Sequence, residues 1–141
     1  MAESGRQKWL RTVILIGAVY LVIGLSFSAF AGWSKSNQMV FTWRLLSFFT
    51  STVVFALHIV HEHFRLANSP LVTASHASMA VAVGAFGIAV AANVHGLWVH
   101  SSNQRSLIFA LVAFPALTAI PAFAVALVAA TALALVRRRS A

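Results

Sequence analysis

The sequence predicts an all-α protein, an integral membrane bundle of four antiparallel transmembrane helices joined by short loops. Three observations predict it. Hydrophobic residues fill 60% of the 141 positions and charged residues only 9%, whereas a soluble domain carries roughly a quarter charged residues, so there is too little polar surface to face water on every side. The apolar residues gather into four runs, each long enough for the ~20 residues that cross a bilayer. Between the runs lie short polar segments rich in Ser, Asn and basic residues.

The first run spans 12–33. It follows a polar start that carries Arg6, Lys8 and Arg11. A basic start, an apolar middle and the small-residue tripeptide Ala29-Phe30-Ala31 also fit a cleavable secretory signal; we read the segment as a retained helix. The segment 34–42, with Lys35, reads as a polar turn.

The second run spans 43–65 and organises the rest. Arg44, Ser47, Ser51, His58, His61, Glu62 and Arg65 recur in it at steps of three, four and seven. On an α-helix these steps place a polar stripe along one side of an otherwise apolar rod. Hydrocarbon penalises such a stripe, which must therefore face protein, water or a ligand. Asn68, Ser69 and Pro70 then mark a tight turn.

The third run spans 72–99 and is dominated by small residues. Ala77, Ala80, Gly84, Gly87 and Ala91 share one side, and Ser78, Ala82, Ala85, Ala89 and Ala92 cover the next. Small residues at this spacing let helix backbones approach closely inside lipid, so this helix is expected at the centre. The fourth run spans 107–136. Pro115 and Pro121 each remove a backbone donor, which predicts a kink or an irregular first half near 114–120.

Charge sets the expected orientation. One side of the membrane would hold Arg6, Lys8, Arg11, Arg65, Arg137, Arg138 and Arg139, and the other only Lys35, Arg44 and Arg105. This bias places both termini in the cytoplasm of a plasma or inner membrane. The net charge of +8 sits at the ends of apolar runs, where it meets anionic headgroups, and nucleic acid is not an expected partner. There is no cysteine, which excludes disulfides, thiolate metal sites and a cysteine nucleophile.

Six histidines remain to be explained. In an antiparallel hairpin turning at Pro70, positions whose numbers sum to about 138 share a depth. His58, His61, Glu62, His63 and His76 then gather at the inner half of the second and third helices. His58 or His61 opposite His76 would supply the two axial ligands of a haem b, with Arg65 near a propionate. Glu62 with His58 one turn earlier, and His61 one ridge over, offers a non-haem zinc or iron set, and neither HExxH nor HxxEH is present. Glu62, Ser51, Arg44 and Arg65 could alternatively form a polar seam for ion or solute passage. In the structural alternative Glu62 pairs with His58 or Arg65 on its own helix.

No glycine-rich phosphate loop, nucleophile motif or carboxylate pair occurs. The leading functional expectation is therefore a small non-catalytic membrane protein, an accessory or scaffold subunit that packs with other membrane subunits or with copies of itself. A haem b electron-transfer subunit is the first alternative. Proton-coupled movement of a small solute along the seam of the second helix is the second.

Overall fold

A computed structural model of the chain describes residues 2–100 and 102–139, with side chains for all of these except 2–6, 8 and 137–139. The basic side chains of Arg6, Lys8 and Arg137 to Arg139, counted above for orientation, lie outside the described side chains. The described residues form four α-helices and no strand: α1 (Ala2–Trp33), α2 (Asn37–Arg65), α3 (Pro70–Trp98) and α4 (Gln104–Arg139). All four are long and apolar enough to cross a membrane.

α2 starts earlier than the run of apolar residues suggests. Residues 37–42 are helical rather than a polar turn, and Ser36, in an extended conformation, stands at the N-cap. A helix does not need apolar side chains to continue beyond the bilayer, only backbone hydrogen bonds, and Val40 N–H donates to Ser36 O at 3.1 Å. At the other end, α2 stops at Leu66, and Ala67 adopts a left-handed conformation with φ 51°. Ser69 then caps α3, its hydroxyl accepting from Val72 N–H, and Pro70 occupies the first turn, where its missing donor costs nothing.

α4 runs helical without interruption through Pro115 and Pro121, so the expected irregular segment is absent. Each proline still deprives the carbonyl four residues earlier of its amide donor. Nearby, the Thr118 hydroxyl donates to the carbonyls of Phe114 at 2.9 Å and Pro115 at 3.1 Å.

α3 is the central helix and carries most of the buried residues. It packs along both α1 and α4, whereas α1 and α4 do not touch, and α2 meets α3 and α4 only sparingly. Glycine decides how close α1 and α3 come. A Cβ added at Gly84 would stand 2.5 Å from Tyr20 Cβ and 3.0 Å from the Gly17 carbonyl, and one at Gly17 would stand 2.6 Å from Val83 Cγ1. Gly24 against Ile88 and Gly87 against Leu21 continue the same contact. Where lipid replaces water, such interpenetration of small residues is the main attraction between helices. Against α4, Ala74 and Ala77 form a core with Ala126, Ala130 and Ile59 of α2. At the far end Asn93 donates to the carbonyls of Ala89 and, across the interface, Leu107.

The α1–α3 contact is testable in detergent by thermal unfolding followed by circular dichroism. Gly84→Ala should lower stability by about 1–3 kcal/mol, the usual range for overpacking. Gly32→Ala, whose Cβ meets nothing within 4 Å, should leave the transition unchanged or raise it slightly. Equal behaviour of the two variants would rule out glycine-limited packing.

Candidate functional site

The polar residues of α2 divide between two ends of the bundle and a cleft between them. At the end beside the Pro70 turn, Glu62 is 1% exposed. A carboxylate buried this deeply is costly unless donors surround it. Two side chains donate to it and a third stands close. His58, one helical turn earlier on α2, brings Nε2 to 3.6 Å from Oε1. His76 of α3 brings Nδ1 to 3.0 Å from Oε2, the geometry of an imidazole N–H donating to a carboxylate. Asn68, in the turn, donates from Nδ2 to the same oxygen.

The turn itself makes this arrangement. The left-handed residue Ala67 reverses the chain so that Asn68 faces back along α2, and its backbone N–H reaches the Glu62 carbonyl at 3.4 Å. Asn68 thus holds Glu62 by both main chain and side chain. Trp9 of α1 covers His76 from the other side, with ring centroids 5.2 Å apart and planes tilted by 41°. Several buried polar atoms at this knot have no hydrogen-bond partner among the described residues: both ring nitrogens of His58 and of His63, Thr73 Oγ1 and Trp9 Nε1.

Of the residues singled out from sequence, the structure brings together His58, Glu62 and His76. His61 is exposed on the outer side of α2, and so is Arg65, so the buried carboxylate is met by imidazole and amide rather than guanidinium. Ser51 is half-buried and lines the central cleft. Arg44 is exposed near the opposite end, about 27 Å from Glu62 along the helix for 18 residues at 1.5 Å each. Sequence reasoning passes over Asn68 and Trp9. Asn68 is visible only as a turn residue, and Trp9 only as an interfacial anchor.

Two clefts occupy the rest of the seam. One, of about 390 Å³, lies between α1 and α2 and is lined by Phe27, Ser28, Val40, Arg44 and Ser47 among others. Beside it Trp43 stacks on Phe30 at 5.0 Å and approaches Phe27 at 6.0 Å, an aromatic lock between the two helices. The other, of about 600 Å³, is bounded by all four helices, with Tyr20, Ser51, Phe55, Ile88 and Pro121 in its walls, and it also includes Ser47. Neither cleft is lined by Glu62 or its imidazoles. Among the described residues, no group of three or more His, Asp or Glu side chains is arranged to hold a metal ion.

Chemically, the Glu62 knot is a fastening. Oε2 accepts from both Asn68 and His76, Oε1 has only the 3.6 Å approach of His58 on its own helix, and the Oε2 contacts join α2, the turn and α3 at one level. Removing a donor leaves a buried acceptor partly unsatisfied, a loss of about 1–3 kcal/mol. His76→Leu and Asn68→Leu should each destabilise by that amount in denaturant titrations in mixed micelles. His61→Leu, at an exposed position, should stay within about 0.5 kcal/mol of the parent. A double-mutant cycle between Glu62→Gln and His76→Leu should show coupling; strict additivity would remove the His76 contact from the account. No protein-family model, no curated protein and no solved structure matches the chain.

Proposed function

We propose that the chain is a multi-pass integral membrane protein of four antiparallel spans, placed in a plasma or inner membrane with both termini in the cytoplasm. It works without bond chemistry of its own, as an accessory or scaffold subunit that packs against other membrane subunits or copies of itself. Side-chain pairings support the helix directions. Trp9 with His76, Gly17 with Val83 and Gly24 with Ile88 rise together in number along α1 and α3. Ala77 shares a core with Ala126 and Ala130, while Asn93 meets Leu107, so numbers run opposed between α3 and α4. The lipid bilayer is the surrounding partner, and the basic residues at helix ends suit anionic headgroups rather than nucleic acid.

The observation that carries the non-catalytic reading is the state of Glu62. It is the one acidic side chain among those described, and its Oε2 is taken up by Asn68 and His76, which hold α2 to the turn and to α3. The small-residue faces of α3 are covered by α1 and α4 inside the chain. Of the four helices α2 offers the least covered surface to a partner, since no residue of its most apolar stretch is buried. Phe41, Phe48, Phe49 and Phe64 project from it.

Extraction in a mild detergent followed by mass determination tests this reading. The expected species is heavier than one 15.1 kDa chain with its micelle, through added copies or co-purifying membrane proteins. A monodisperse monomer without a companion would defeat it.

A second reading has its own support, because Arg44, Ser47 and Ser51 line the two clefts and Glu62 lies beyond them on the same helix. Proton-coupled passage of a small solute along that seam requires Glu62→Gln to abolish transport into vesicles; undiminished transport excludes Glu62 as the coupling group. The haem b alternative draws on the convergence of His58 and His76 from two helices. It requires both imidazoles to turn from Glu62 toward an iron, and a Soret band in protein purified from haem-replete cells.

A further inference from the structure

The two clefts share Ser47 in their walls, which change character along α2. Arg44 borders the smaller cleft, Ser47 belongs to both, and Ser51, Thr52 and then Phe55 follow in the larger one. Charge gives way to hydroxyls and then to aromatic and aliphatic surface. This is the polarity profile of an amphiphile.

Among the described residues Arg44 has no ion-pair partner. The whole sequence contains two acidic residues, Glu3 and Glu62. Glu62 is held by His76 and Asn68 about 27 Å away along α2. The backbone of Glu3 lies in the first turn of α1, about 36 Å along that helix from Phe27, where the Arg44 cleft begins, for 24 residues at 1.5 Å each. Arg44 therefore presents its positive charge at the mouth of a cleft with no anion of the described residues to meet it, and an anion from outside is the complementary partner.

The dimensions select the rest of the ligand. From Arg44 to Phe55 the helix advances about 16 Å, roughly half of the ~30 Å hydrocarbon core and so about one leaflet. A cleft of about 600 Å³ falls within the roughly 300–1,000 Å³ of sites that enclose a small ligand. The floor is shaped by small or ring residues that leave room rather than fill it: Gly24, Ala85, Pro121 and Ala122. Tyr20 in its wall is 7% exposed, and its hydroxyl has no hydrogen-bond partner among the described residues.

We propose that the two clefts form one binding site for a single-chain anionic amphiphile of the bilayer, a long-chain carboxylate whose head meets Arg44 and whose chain lies against Phe55, Ile88 and Pro121. The cleft that leads inward beyond Ser47 is a single space of about 600 Å³, which suits one chain rather than the two of a phospholipid. Entry is lateral, between α2 and α4, which have few contacts with each other and whose facing residues Phe48, Leu117 and Val125 are exposed. The site is independent of whether the protein also packs with other subunits.

Photo-crosslinking in nanodiscs of zwitterionic phospholipid tests it, with a diazirine-bearing C16 to C18 fatty acid and the matching fatty alcohol as probes. The acid should label peptides around 47–55 and 114–125 saturably, and excess oleate should compete while methyl oleate competes less well. Arg44→Gln should lower labelling by the acid about fivefold, the scale of an exposed ion pair, and leave the alcohol unchanged. Ser51→Phe and Thr118→Phe fill the cleft from different helices; either one, if it retains the parent's circular dichroism and elution volume, should abolish labelling by both probes. Diffuse unsaturable labelling of all lipid-facing helices overturns the proposal. So does saturable labelling indifferent to Arg44 and to both fillers, and competition by phosphatidylglycerol but not by oleate overturns the single-chain assignment.

Discussion

A single buried carboxylate constrains this fold. Glu62 is the one acidic side chain among those described, and, buried as it is, it needs hydrogen-bond donors. They come from the connecting turn and from the first turns of α3, with His58 close by one turn earlier on α2. Satisfying them fixes how α2 sits against α3: a slip by one residue along either helix would move His76 or Asn68 away from Glu62. The short turn restricts the register, and the carboxylate selects one register within that restriction. Trp9 on His76 extends the constraint to α1.

The rest of the bundle is held differently. α1 and α3 approach through glycine, and α3 and α4 through alanine, so this three-helix layer depends on close contact along its length. α2 has no such seam. It is fastened by the stacking of Trp43 on Phe30 at one end and, from Val54 onward, by Val54, Phe55 and Ile59 packing on the two cores and by the Glu62 knot, while the stretch 47–52 between them stands off from α3 and α4. The central cleft follows from this: a helix attached on either side of an unpacked stretch leaves space behind it. The polar stripe of α2 borders that space instead of being sealed, which explains why its serines are half-buried while His58 and Glu62 are buried outright.

Helix number and approximate extent are legible in the sequence because the length of an apolar run is itself the specification of a span. The level of Glu62 against His76 is legible too, since a tight turn at Pro70 pairs positions by simple counting and the two numbers sum to 138. What side chains do at that level is less so. His61 and Arg65 share the seam's periodicity, yet near the end of α2 the chain folds back across the Glu62 and His63 side, leaving the other flank exposed. Asn68 reaches Glu62 because Ala67 is left-handed, a conformation that a glycine would have announced and an alanine conceals. The helical residues 37–42 look like a turn because polarity mimics one, although Ser36 is the true stop. The cleft has no local signature at all, being a sum of contacts that long-range packing does not make.

α4 supplies the other half of the reason why that space stays open. A helix facing α2 with leucines or phenylalanines at each inward position would fill the gap, and burial of such side chains would draw α2 inward. α4 instead places Thr118, Pro121 and Ala122 at the middle of the cleft, while its larger lining residues Phe114, Leu117 and Val125 stay largely exposed and do not fill the gap. Proline adds rigidity without reach, and its ring leaves the Leu117 carbonyl without an amide donor. Thr118 turns its hydroxyl onto its own helix, to Phe114 and Pro115, rather than across the cleft to α2. Neither helix therefore offers the other a group that would close the distance, while each is held in place elsewhere, α4 along α3 and α2 on either side of the cleft. The opening persists because the forces that could close it are satisfied within each helix or against α3.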